Sequence, residues 1–243
     1  MEATVTPLRV FQTPESLGKD LAERIVQRVK RGRRPYLFGC PTGRTPKPIY
    51  DALADADLRD VILVMMDEYL VPGTNGLTWA SEREAWSCHG FVRQNIRFAV
   101  GDVWFPDPAK PDAYDKSIAD AGGIDLFLLA SGASDGHVAF NSTGSPRDSH
   151  TRVVPLSEAT RRDNLATFPT FGALENVPKH GVTVGIDTIA RAREAIMVVW
   201  GASKRLTLQR MLGAERYDAS WPATVIHECP VREIVADAAA ATA

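Results

Sequence analysis

Four short stretches concentrate the reactive side chains of this sequence, and each follows an apolar run. The first is Gly39-Cys40-Pro41-Thr42-Gly43-Arg44-Thr45-Pro46. A glycine- and threonine-containing turn that feeds a helix offers free N–H groups to an anion, and Arg44 and Lys47 add positive charge. The same residues also suit an ordinary strand-to-helix turn with a good cap, and they form neither a complete Walker motif nor GxGxxG. The second is Asp67-Glu68-Tyr69. Two carboxylates leaving a buried strand suit general-base work, because burial raises a carboxylate pKa toward neutrality. A helix cap or a structural hydrogen bond is the plain alternative. The third, Ser131 to Asn141, contains Asp135-Gly136-His137, where an aspartate can orient an imidazole on a glycine-flexed turn. The fourth, Gly201-Ala202-Ser203-Lys204, puts a cation at a helix start. That placement makes electrostatic sense if an anion lies between them, and otherwise the lysine swings into solvent.

Such stretches act together only if the fold brings them to one edge. Tyr36-Leu37-Phe38-Gly39 and Val61 to Met66 read as buried strands. They bracket a helix over Pro46 to Ala54, with Thr45 as its cap and Pro46 at its first position. That order is a βαβ unit, so parallel pairing with a right-handed crossover is expected. Further on, Pro111 to Ala121 reads as a helix and Ile124 to Leu129 as a strand. Gly181 to Ile186 and Ala195 to Trp200 read as strands, and Lys204 to Leu212 as a helix. Leu17, Leu21, Ile25, Val26 and Val29 recur at helical spacing, which predicts a covering helix from Pro14 to Lys30. The pattern predicts an α/β fold with a mostly parallel sheet covered by helices on both faces. Ligands then bind beyond the carboxyl ends of the strands. With no internal repeat or linker, residues 1–243 are expected to form a single domain, and Ala238 to Ala243 reads as a helical or frayed tail.

Bulk properties narrow the function. Of 243 residues, 44% are hydrophobic and 24% charged, enough for a full core. A net charge of −2 leaves no general field for nucleic acid or an anionic membrane, so an anion site must be local. Cys40, Cys88 and Cys229 are odd in number and far apart, without zinc-ligand spacing. Reduced thiols in a cytoplasmic protein are the expectation. The N-terminal stretch has early acidic residues and no long apolar run, which predicts neither a secretory signal nor a membrane span.

Taken in order, these stretches resemble the glucosamine-6-phosphate deaminase/6-phosphogluconolactonase family over most of the chain, from Leu37 to the region of Cys229. Met66-Asp67-Glu68-Tyr69 and Asp135-Gly136-His137-Val138-Ala139-Phe140-Asn141 are specific in combination and look like the deaminase branch. The lactonase branch usually shows Asp-Glu-Arg at the first position and Asp-Gly-His-Thr-Ala-Ser at the second. The resemblance implies a modified Rossmann-like fold, a sugar-phosphate substrate, and neither a nucleotide cofactor nor a metal. It implies that Thr42, Gly43, Arg44 and Thr45 line a phosphate loop completed by Lys204 and by a lid arginine. The lid arginine corresponds to Arg161, with Arg162 one position away. It further implies that Asp67 moves a proton between C1 and C2 of the opened sugar, that His137 assists ring opening, and that Asp135 orients it. Glu68, Asn141 and Ser142 stand as supporting residues. The residues leave a monomer and a homo-oligomer both open.

Two departures bear on the reaction. Deaminases carry a glutamate directly after the motif's asparagine, where this chain has Ser142, and a serine supplies no negative charge to the histidine. Arg44 stands where deaminases commonly have a small residue. The segment Thr78 to His89 resembles the deaminase helix that ends in Ser-x-His, but carries Trp79 and Trp86. The expected activity is release of ammonia from an amino-sugar phosphate. Hydrolysis of a sugar-lactone phosphate, with His137 activating water, is the second reading, and a non-catalytic sugar-phosphate sensor the third.

Overall fold

Each of the apolar runs forms a strand, but the strands divide between two sheets. The computed structural model describes residues 6–242. In chain order the strands are β1 (Leu8–Phe11), β2 (Tyr36–Cys40), β3 (Asp57–Met65), β4 (Asp67–Gly73), β5 (Gly76–Trp79), β6 (Ala99–Trp104), β7 (Leu126–Ala130), β8 (Arg152–Pro155), β9 (His180–Thr183), β10 (Glu194–Val199) and β11 (Val231–Asp237). The helices are α1 (Pro14–Arg31), α2 (Lys47–Ala52), α3 (Cys88–Asn95), α4 (Pro111–Asp120), α5 (Glu158–Thr167), α6 (Ile186–Ala190), α7 (Arg205–Leu212) and α8 (Ala238–Ala241). Ala243 of the expected tail, like residues 1–5, lies outside the described residues.

The main sheet has seven strands in the order β1-β11-β10-β7-β2-β3-β6, and every pairing in it is parallel. Alternate residues of its central strands enter opposite cores. Phe127 and Leu129 of β7 join Met197 and Val199 of β10 on one face, under α4, α6 and α7. Leu126 and Leu128 join Phe38 and Ile196 on the other, under α1, α2 and α3. Burial on both faces is why these strands are apolar without interruption. The fold is α/β and Rossmann-like, with helices on both faces.

The chain runs outward from β2 through β3 to β6, then returns to β7 on the other side of β2 and runs outward again through β10 to β11. This reversal between β2 and β7 opens a crevice at their carboxyl ends, the place where such sheets hold ligands.

Several expectations are corrected. The run from Gly181 does not enter the main sheet. β9 belongs to an antiparallel sheet ordered β5-β4-β9-β8, whose apolar side packs Tyr69, Phe140, Leu156 and Phe171 together. Residues Asp67-Glu68-Tyr69 open a further strand, and β4 turns into β5 through Thr74 and Asn75, between Gly73 and Gly76. Thr45 does not cap α2: Pro46 occupies that place, with no side-chain cap bond. The segment before His89 does not form a helix ending in Ser-x-His. Ser87 instead caps the start of α3, its hydroxyl accepting the Gly90 N–H at 2.9 Å. Trp79 donates its Nε1–H to the Pro106 carbonyl, and Trp86 packs against Tyr69 with ring centroids 5.5 Å apart. None of the described helices is long and apolar enough to cross a membrane.

Candidate active site

The turn after β2 and the turn after β7 face each other across the crevice. Thr42, Gly43, Arg44, Thr45, Asp67, Ser131, Gly132, His137 and Lys204 all line one cleft, joined by Asp163, Asn164 and Thr167 from α5. The first turn is held from behind, because Tyr50 donates its hydroxyl to the Pro41 carbonyl at 2.8 Å and Trp200 its Nε1–H to the Thr45 carbonyl at 2.9 Å. Lys204 reaches into the cleft and donates to the Ser131 carbonyl. Burial pushes its pKa down to about 8. Lys47 points away, with Nζ 2.7 Å from Asp51 on the exposed side of α2. The positive charge of this end of the cleft therefore comes from Arg44 and Lys204.

Asp67 is buried, and burial pushes its pKa up to about 7. Its Oδ1 accepts a hydrogen bond from the Cys88 thiol at 3.3 Å. Burial, with Glu68 and Asp67 beside it, raises the pKa of that thiol well above its ordinary value, so it stays a neutral donor. Cys88 is placed by Glu68. This fully buried carboxylate accepts the N–H groups of Tyr69, Cys88 and His89 at 2.7, 3.0 and 2.8 Å and pairs with the His89 ring. Glu68 thus serves as the structural bond that ties α3 to β4.

Opposite Asp67, His137 Nδ1 lies 2.6 Å from Asp135 Oδ1, which also accepts the His137 backbone N–H at 3.1 Å. Burial works against ionisation of Asp135. The hydrogen bonds from His137 and Thr160 outweigh it and hold the carboxyl well below the usual range. Gly136 between them has φ +65°, and a Cβ there would stand 2.4 Å from the Trp221 ring, so only glycine lets this turn close. Ala139, which also lines the cleft, is the non-glycine residue at positive φ, +50°, among the described residues.

Thr160 is fully buried and joins the support groups. Its hydroxyl donates to Asp135 Oδ2 at 3.0 Å and lies 3.3 Å from the Ser142 hydroxyl. Ser142 therefore touches the pair only through Thr160. Asn141, fully buried, donates Nδ2 to the Val138 and Val184 carbonyls at 3.1 and 2.8 Å and braces the turn from below the cleft.

Arg161 is not brought to the cleft. Its guanidinium donates to the carbonyls of Leu174 and Val177, and Arg162 pairs with Glu158 on the exposed side of α5. Helical geometry explains this. Thr160, Asp163, Asn164 and Thr167 recur at spacings of three and four and share one face, whereas each single step turns about 100° away. That polar spacing is the available signal for Asp163 and Asn164, which the motifs alone do not single out. Cys88 and Thr160 carry no such signal, since their roles arise from contacts across the fold.

Asp135, His137 and Asp163 each offer a ligand atom within 4.8 Å of the others. Asp135 and His137 are already hydrogen-bonded to each other through Oδ1 and Nδ1.

A family model for glucosamine-6-phosphate isomerases/6-phosphogluconolactonase matches residues 12–235. The chain belongs to this family of enzymes. Among curated relatives of the chain, a glucosamine-6-phosphate deaminase of Rhodococcus opacus is 36% identical over 80% of this chain and 76% of its own length. One of Mycolicibacterium smegmatis is 33% identical over 96% of this chain and 90% of its own. The fold superposes on a monomeric glucosamine-6-phosphate deaminase with TM-score 0.84 and 26% identity, covering 97% of this chain and 98% of that one. A 6-phosphogluconolactonase from Trypanosoma brucei shares the fold alone, with TM-score 0.71 and 21% identity over 97% of each chain. The cleft of this glucosamine-6-phosphate isomerase/6-phosphogluconolactonase family member is lined by two cations, Arg44 and Lys204, and by the carboxylate of Asp67 and the imidazole of His137.

Proposed function

We propose that the protein is an amino-sugar phosphate deaminase/isomerase, converting glucosamine 6-phosphate or a close analogue into the ketose 6-phosphate and ammonia. The observation that carries this reading is Asp67, a buried carboxylate with a pKa of about 7, lining the same cleft as His137 and Lys204. Such a group is a competent base at neutral pH and passes the proton back without a large penalty.

In this reading Arg44, Lys204 and the N–H groups of the Thr42–Thr45 turn hold the phosphate. His137, oriented by Asp135, moves the proton between the C1 hydroxyl and the ring oxygen that opens the sugar. Asp67 then takes the proton from C2 and returns it to C1. The nitrogen at C2 is left as an imine, which one water hydrolyses to the ketone with release of ammonia. Binding energy from the phosphate end favours the enolate-like transition state. The deaminase names of the relatives support the reading. So does Tyr69, which points into an apolar cluster with Phe140 and Phe171 and leaves no arginine at that place.

The pairing of β1 with β11 joins the two ends of the sequence and supports one sugar-phosphate domain. Three buried free cysteines support a reducing, cytoplasmic setting. Lactone-phosphate hydrolysis by water activated at His137 is the second reading, favoured by the serine at position 142.

The test is to incubate the protein with glucosamine 6-phosphate and measure ammonia and fructose 6-phosphate together, beside Asp67→Asn. Equal release of both, lost in the variant, is expected. If neither forms at high enzyme while 6-phosphogluconolactone is hydrolysed, the second reading replaces the first. Binding of both without turnover of either would indicate a sensor.

A further inference from the structure

Asp163 moves no proton in the proposed reaction, yet it touches the catalytic turn. Its Oδ2 accepts the backbone N–H groups of Ala133 at 2.9 Å and Ser134 at 3.2 Å, the two residues directly before Asp135. It lines the cleft, and one of its oxygens lies within 4.8 Å of the ligand atoms of both Asp135 and His137. His137 therefore has a carboxylate from its own turn and a second one from α5.

At position 142, where the family motif continues with a glutamate, the serine hydroxyl reaches Thr160 at 3.3 Å and brings no charge. We propose that Asp163 is a positioning residue that supplies to His137 the second carboxylate this chain lacks at Ser142, favouring the protonated ring during sugar opening. The catalytic part of this inference rests on the deaminase reading. Its electrostatic part rests on the placement of Asp163 alone.

The charged groups around His137 come from several elements: Asp135 on its own turn, Asp67 on β4, Lys204 before α7, Arg44 after β2 and Asp163 on α5. Asp163 also acts on Lys204, whose charge it favours. A role confined to Lys204 would appear in substrate binding, whereas a role at His137 would appear in turnover.

Asparagine separates charge from shape, because its amide oxygen still accepts from Ala133 and Ser134 while the charge is gone. Asp163→Asn is compared with the unaltered protein for kcat and KM on glucosamine 6-phosphate, and for the pH titration of the His137 ring followed by NMR. The expected result is a loss of about 10- to 100-fold in kcat with KM within about threefold. The pH response of the His137 resonances is expected to change once the neighbouring charge is gone. Unchanged kcat, a change confined to KM, or an unmoved titration each overturns the proposal. Absence of ammonia from the unaltered protein would instead remove the deaminase reading, and the NMR titration would still decide whether Asp163 acts on His137.

Discussion

The buried thiol of Cys88 points at Oδ1 of Asp67 from 3.3 Å and donates to it at the floor of the cleft. Burial raises the pKa of Asp67 to about 7, and this bond is the largest influence holding it down. Cys88→Ala is therefore expected to move the acid limb of the kcat/KM–pH profile upward by about half to one unit. Cys88→Ser, which keeps a donor, should stay near the unaltered profile. If both variants shift equally, the thiol does not tune Asp67.

The complete profile should be bell-shaped. Asp67 acts as a base only when ionised, so activity rises with pH through about 7. Lys204 holds a phosphate only when protonated, so activity falls as pH rises through about 8. Steady-state rates between pH 5.5 and 9.5 (roughly the range spanning both groups) check this. A flat response up to the top of that range would separate Lys204 from phosphate binding.

Stability should move against activity at Asp67. Its folded pKa is above the unfolded value, so the native state holds the proton more tightly and stability falls as pH rises from about 4 to about 7. Asp67→Asn removes that cost. Chemical denaturation at pH 8 is expected to show the inactive variant more stable by about 2 to 4 kcal/mol, with the gap closing below about pH 4. A variant less stable at pH 8 would mean that the carboxylate makes bonds that outweigh its burial.

Two cation substitutions distinguish the cleft from its frame. Lys204→Met should raise KM by about 30- to 100-fold, the loss of one charge-assisted phosphate contact. Arg161→Ala should leave KM within about twofold and lower stability by about 1 to 3 kcal/mol, because its guanidinium holds the Leu174 and Val177 carbonyls. The reverse pattern would restore Arg161 as the lid arginine.

The sequence is most informative where burial is symmetrical. β2, β7, β10 and the second half of β3 announce themselves because both faces are covered, so their residues are apolar in succession. β1 and β6 are edge strands with exposed residues, and β11 is interrupted by Arg232 and Glu233, so none stands out. The run at β9 is apolar, but apolarity does not say which sheet a strand joins. The site obeys the same rule. Asp67, Asp135, His137 and Lys204 sit just beyond the carboxyl ends of apolar runs, where a parallel sheet concentrates its chemistry, and are legible for that reason. Cys88, Thr160 and Asp163 enter from elements packed across the crevice, and Arg161 differs from its expected place by a single step around α5.

The reversal between β2 and β7 also has a kinetic meaning. The Thr42–Thr45 turn comes from the chain before this crossing and both His137 and Lys204 from after it, and the Asp125 side chain that ties the two strands accepts the Leu37 N–H from 88 positions away. Contacts between residues so far apart in sequence form more slowly than the local contacts of a helix. During refolding, recovered turnover should therefore lag behind helix formation and report the arrival of the last distant strand pairing.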